Sequence, residues 1–105
     1  MAPSVIKEPK VNLRGHTYWC RAVQWSPDGD LLATASADNN VRVFQQCGTE
    51  AFKVKHPDWV WAVDFSFTSK RKRLATACLD GKVRVFDAID GREILTIQVR
   101  RRLSR

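Results

Sequence analysis

Leu32–Phe44 reads LATASADNNVRVF and Leu74–Phe86 reads LATACLDGKVRVF, identical at nine of thirteen positions. The match continues upstream: Ala22-Val23-Gln24-Trp25-Ser26 is answered by Ala62-Val63-Asp64-Phe65-Ser66, and His16 by His56. The copies are offset by 40 residues at the histidines and by 42 at the leucines, the extra two falling between Phe67 and Arg73. Such an insertion belongs in a surface turn, where the backbone need not pair. The chain is therefore one structural unit written twice.

Each unit has four short strand patterns. In the first they run Trp19 to Trp25, Leu31 to Ser36, Val41 to Gln45 and Ala51 to Lys55; in the second, Val60 to Ser66, Leu74 to Leu79, Lys82 to Asp87 and Arg92 to Val99. Turn chemistry separates them. Ser26-Pro27-Asp28-Gly29 combines a preset φ at Pro with a positive φ at Gly, and Asp80-Gly81 and Asp90-Gly91 mark later reversals. A period of about 40 to 45 residues with four strands per unit is that of a β-propeller blade. Alternation puts Trp19, Arg21, Val23 and Trp25 on one face and Cys20, Ala22 and Gln24 on the other. The second copy opposes Trp59, Trp61, Val63 and Phe65 to Val60, Ala62 and Asp64. Bulk on one face and small residues on the other predict a strand sandwiched between neighbouring sheets. A leading strand is expected at Lys10 to Arg14, a loose arm at residues 1–9 and a basic tail at residues 100–105.

The formal net charge of +7 is local. Lys70-Arg71-Lys72-Arg73 and Arg100, Arg101, Arg102 and Arg105 hold 8 of the 18 Lys and Arg residues, leaving 10 cations against 11 acids. A domain that grips phosphates usually spreads its cations along one face. Cys20, Cys47 and Cys78 form no metal-binding pair motif and read as free thiols, Cys20 and Cys78 as small buried hydrophobes, which suits an intracellular location, cytoplasmic or nuclear. No apolar run reaches the length of about 18 residues that a membrane helix needs. His16 and His56 are the only histidines, each with its own Asp and no accompanying nucleophile. A catalytic pair has no reason to recur once per structural unit, so no enzyme, metal or cofactor is expected.

Gly15-His16, followed by Asp38 six residues before the Phe that ends a VRVF strand, resembles the WD-repeat family of β-propellers. The resemblance covers about residues 10 to 99. Where that family closes its third strand with Trp-Asp, this chain has Phe44-Gln45 and Phe86-Asp87, and Gly-His becomes Lys55-His56 in the second copy. The resemblance implies a hydrogen-bonded chain of His, Thr and Asp in each blade: His16, Thr34 and Asp38, then His56, Thr76 and Asp80. Phe cannot extend it, so it should run from Asp through His to Thr. It also implies that loops leading into each blade's first strand present a partner-binding face. Tyr18, Trp19, Asn39, Asn40, Asp58 and Trp59 lie there, with packing between blades the competing role for Trp19 and Trp59.

The expected architecture is all-β: blade one in residues 10–55, blade two in 56–99, each a four-stranded antiparallel sheet, and no closed ring. Two blades leave sheet faces open, so the chain is expected to be a fragment, a shortened form, or a unit completed by assembly or by another protein. The expected function is a non-catalytic protein-interaction scaffold. The alternative is nucleic-acid or phosphoinositide binding through Lys70, Arg71, Lys72 and Arg73, read as a turn, and through the tail. Arg101-Arg102-Leu103-Ser104 resembles a basophilic kinase site, with Ser104 as acceptor.

Overall fold

A computed structural model describes residues 15–99. The arm, the leading strand at Lys10 to Arg14, the tail and Ser104 lie outside the described residues. Within them the chain forms two four-stranded antiparallel sheets in simple up-and-down order. The first comprises β1 (Cys20–Trp25), β2 (Leu31–Ser36), β3 (Asn40–Gln45) and β4 (Glu50–Lys55). The second comprises β5 (Val60–Phe67), β6 (Lys72–Cys78), β7 (Lys82–Asp87) and β8 (Glu93–Gln98). They are two propeller blades, packed face to face and open on both outer sides.

Local chemistry sets the turns. Gly29 takes φ +78° in the Ser26-Pro27-Asp28-Gly29 reversal, which Gly29 N–H to Ser26 O (2.9 Å) and Ser26 N–H to Leu31 O (2.8 Å) close. The basic run is only half a turn. Strand β6 begins at Lys72, two residues earlier than the pattern indicated, because Phe67 pairs with Lys72 and Ser66 with Arg73. Lys70 and Arg71 alone remain in the connection.

The core lies between the blades. Blade one contributes Ala33, Ala35, Val41 and Val43, with Ala22, Leu31 and Phe52 beside them; blade two contributes Val60, Val63, Phe65 and Leu74, with Phe67 beside them. Small residues of one sheet thus receive large residues of the next. Each such large side chain stabilises by about 1.5–3 kcal/mol when fully buried.

Two expectations about the first strands are corrected. The alternation is broken by a β-bulge in each, between Cys20 and Ala22 and between Val60 and Ala62. A bulge adds one unpaired residue, here Arg21 and Trp61, and shifts everything before it to the opposite face. Val60 therefore joins Val63 and Phe65 in the core, and Trp61 turns out to solvent. Cys20 likewise joins Val23 and Trp25. Nor is β1 sandwiched as β5 is: it has a sheet on one side only, so Cys20, Val23 and Trp25 are exposed where Val60, Val63 and Phe65 are buried; Cys78, on β6, is buried as expected.

Candidate protein-interaction face

Antiparallel order places the segment before β1, the β2–β3 turn, the segment before β5 and the β6–β7 turn on one edge of the blade pair. All the sequence-nominated contact residues stand there. Backbone bonds hold the entering segments to the turns: Ala37 N–H to Trp19 O (3.0 Å) in blade one, and Leu79 N–H to Trp59 O (2.9 Å) in blade two. Ser36 Oγ donates to Tyr18 O at 3.2 Å, and the equivalent Cys78 Sγ donates to Asp58 O at 3.3 Å.

Beneath this edge in blade one lies a continuous polar chain. His16 Nδ1 is 3.0 Å from Asp38 Oδ2, and its Nε2 is 2.5 Å from Thr34 Oγ1. A carboxylate only accepts, so Nδ1 carries the proton that meets Asp38, and Nε2 hydrogen-bonds with the Thr34 hydroxyl. Asp38 also accepts from the N–H groups of Thr17 and Asn40, both at 2.9 Å. Burial works against the Asp38 charge, but those backbone bonds and His16 outweigh it and hold the carboxyl below the usual aspartate range.

Blade two is wired differently, against expectation. His56 Nε2 contacts Thr76 Oγ1 at 2.8 Å, but His56 Nδ1 donates to Val54 O at 3.3 Å, and Asp80 bonds Arg84 Nη2 at 2.7 Å. The equivalent arginine of blade one, Arg42, pairs with Glu50. A local difference accompanies this change: Gly15 is replaced by Lys55 in the second copy. Gly15, at φ +132°, lies so close to Arg42 that an added Cβ would come within 2.5–2.8 Å of the guanidinium. Only a residue without a side chain leaves that space. In blade two a lysine stands at this position, and Arg84 turns to Asp80. Burial works against the Asp80 charge too; Arg84 and the Lys82 N–H overcome it and lower the carboxyl's pKa. Burial pushes the His56 imidazole below its ordinary value, and the ring meets Phe86 edge-on at 5.6 Å, where the family pattern has Trp.

Above these chains the edge is aromatic and cationic. Tyr18 and Trp19 are 61% and 71% exposed, and Trp59 41%. Tyr18 and Trp19 lie 6.0 Å apart between ring centroids. Arg21 stacks over the Trp59 ring at 5.5 Å, joining blade one to blade two across the edge. Asn39 holds the turn at φ +73°, and its carbonyl accepts from His56 N–H at 2.7 Å. Asn40 opens β3, and Asp58 accepts from the Trp59 N–H at 2.8 Å. Arg21 and Trp61 were missed by the sequence reading because both are bulge residues. The only hint was that they occupy the same place in the two copies.

The basic run lies at the opposite edge. Lys72 Nζ is 3.4 Å from Asp28 Oδ2 of the other blade and 5.3 Å from the Phe67 ring, so one of the four cations is engaged within the fold.

The family described as WD domain, G-beta repeat (WD40) matches residues 7–45 and 49–87. The second match begins ahead of β4, so a sequence repeat starts on the outer strand of one blade and continues through the next. Rat coronin-7 is 36% identical over 87 residues, covering 80% of this chain and 9% of that protein. Protein transport protein sec13 of Schizosaccharomyces pombe is 37% identical over 84 residues, covering 70% of this chain and 28% of its own length. The chain thus spans a minor part of these relatives. Among solved structures, the computationally designed Ika4 protein superposes with TM-score 0.78 at 20% identity, over 92% of this chain and 58% of that one. The RRP9 WD40 repeats give 0.72 at 18% identity, over 81% and 27%. Two repeats, two sheets and the blade-one histidine chain agree: the protein belongs to the WD40 repeat family.

Proposed function

We propose that the chain is a non-catalytic, intracellular protein-interaction module that engages its partner through the edge bearing Tyr18, Trp19, Arg21, Trp59 and Trp61. WD40 repeats are in general protein-interaction modules. The observation that carries the reading is the exposed aromatic group bridged by Arg21 over Trp59. Trp, Tyr and Arg dominate interface hot spots because they bury large area around a polar handle. Tyr18, Asn39, Asn40 and Asp58 are the polar rim of this surface. Free cysteines at positions 20, 47 and 78 support the intracellular location. Among the described residues no helix is long and apolar enough to cross a membrane.

Anionic-ligand binding through the basic run is less favoured, since Lys72 already has Asp28 as a partner across the blades. A displayed peptide library selected on the 105-residue chain separates the two readings. Binders should persist from about 0.05 to 0.5 M salt and lose affinity at least tenfold on Tyr18→Ala or Trp19→Ala. Binding to duplex DNA or phosphoinositide vesicles that collapses over the same salt range and vanishes in a Lys70→Ala/Arg71→Ala variant would overturn the proposal.

A further inference from the structure

Both sides of the contact between the blades exist a second time, on the outside of the molecule. The receiving side in blade one is Ala33, Ala35, Val41 and Val43, all fully buried. The same strand positions in blade two are Ala75, Ala77, Val83 and Val85, identical residue for residue and only half-buried, with Leu95 and Ile97 of β8 exposed beside them. The inserting side in blade two is Val63 and Phe65, 9% and 8% exposed, with buried Leu74 paired to Phe65. Its counterpart in blade one is Val23, Trp25 and Leu32, in the same register, with Val23 60% and Trp25 52% exposed.

We infer that a second copy of this chain docks head to tail, its Val23, Trp25 and Leu32 face on the Ala75, Ala77, Val83 and Val85 face of the first. The occupant is argued from continuity: the new contact repeats, in type and register, one that the chain already makes with itself. Charge agrees. Inside the molecule the Asp28 turn of blade one meets Lys72 of blade two. Forty-two residues before Lys72 stands Asp30, and the turn of blade two that corresponds to the Asp28 turn carries Lys70 and Arg71. In the docked pair the ion pair is therefore inverted in sign and kept attractive. A contact of the blade-one face with its own copy would instead set Trp25 on Trp25 and acid against acid. A head-to-tail contact either closes into a ring or continues as an array. Closed propellers hold typically about four to eight blades, which is two to four copies.

The test is solution mass by light scattering on the 105-residue chain. The wild type is expected above the 12.0 kDa of one chain, rising with concentration toward a whole multiple. Trp25→Lys blocks one face and Ile97→Lys the other, and both sites are exposed, so each variant should keep its far-UV circular dichroism and run as a single chain. Mixed in equal amounts, they retain one intact face each and should form a complex of two chains. Val23→Lys with Leu95→Lys repeats the experiment if either first variant fails to fold. A wild type that remains a single chain at every concentration overturns the inference and leaves the faces to another protein's blades. So does a mixture that stays at one chain, or a wild-type oligomer that neither variant disrupts.

Discussion

Blade one and blade two share their strand order, their register and most of their VRVF strand, yet route the same buried groups differently. In blade one the aspartate belongs to the histidine and the arginine to a glutamate. In blade two the aspartate belongs to the arginine, and the histidine falls back on a backbone carbonyl. Both solutions satisfy a buried carboxylate, which is what the fold requires, since an unpaired one costs several times a paired one. The wiring changes together with one backbone position. Gly15 leaves space that Arg42 fills; Lys55 does not. A repeat motif is thus a requirement to be met by whichever donors are within reach. It does not fix the contacts.

The blades also differ in cover, and the largest predicted effect follows from that. Leu74 and Leu32 are repeat equivalents paired to Phe65 and Trp25, but only Leu74 is enclosed by another sheet. Leu74→Ala should cost about 2–5 kcal/mol in urea unfolding, as for any enclosed leucine. Leu32→Ala should cost less than half as much in dilute solution. Its penalty should then grow with protein concentration if copies dock as inferred. Equal losses from both, independent of concentration, would mean the two faces are equally covered within one chain.

Double-mutant cycles probe the wiring directly. Asp80→Ala strands a buried guanidinium, so Arg84→Met should recover part of the loss, with a coupling of about 1–3 kcal/mol. Asp38→Ala should destabilise as well, because the N–H groups of Thr17 and Asn40 and the His16 ring lose their acceptor. Arg42→Met should not rescue it, and that pair should couple by less than about 0.5 kcal/mol. Similar coupling in both blades would erase the distinction.

The repeat, its strands and its turns were legible in the sequence because period and turn chemistry are local properties. The family resemblance pointed to Thr34 and Asp38 beside His16. What was not legible depended on geometry between segments. The bulges at Arg21 and Trp61 hide inside an alternation that reads straight through them, so faces were assigned to the wrong side before Ala22 and Ala62. The turn to Asp80 by Arg84 is a choice between partners in space, and no spacing rule reports it. The basic run looked like a turn because four cations are a loop composition; pairing with Phe67 and Ser66 drew two of them into β6.

Acid should separate the blades further. His56 is held neutral by burial, so its folded pKa lies below its unfolded value, near 6.5. The unfolded chain then binds the extra proton first as pH falls. The stability that the neutral ring contributes is complete above pH 6.5 and is lost as pH drops through the folded value, with a slope of at most about 1.4 kcal/mol per pH unit. Asp38 and Asp80, whose folded pKa values are also lowered, follow only below about pH 3.8, where their charged forms are lost. Urea midpoints between pH 7 and 5 should therefore fall for the wild type and flatten for His56→Leu. An unchanged slope would place the titration elsewhere.

The smallest effect concerns a single turn residue. Asn39 sits at φ +73° where blade two has Gly81 at φ +86°, so both reversals need the left-handed region. Asn tolerates that region better than other side-chain-bearing residues, and Gly has no Cβ to clash, but Gly also gains freedom in the unfolded chain. The two effects oppose each other and leave a small net preference for Gly at such φ. Asn39→Gly should raise the unfolding free energy measured in urea, and Gly81→Asn lower it, each by about 0.5 kcal/mol. The pair reports whether the turns are interchangeable. If they are, the blades differ in how Asp38 and Asp80 are partnered and not in these turns. If Asn39→Gly instead destabilises, the Asn39 side chain contributes to blade one something that its backbone angle does not reveal.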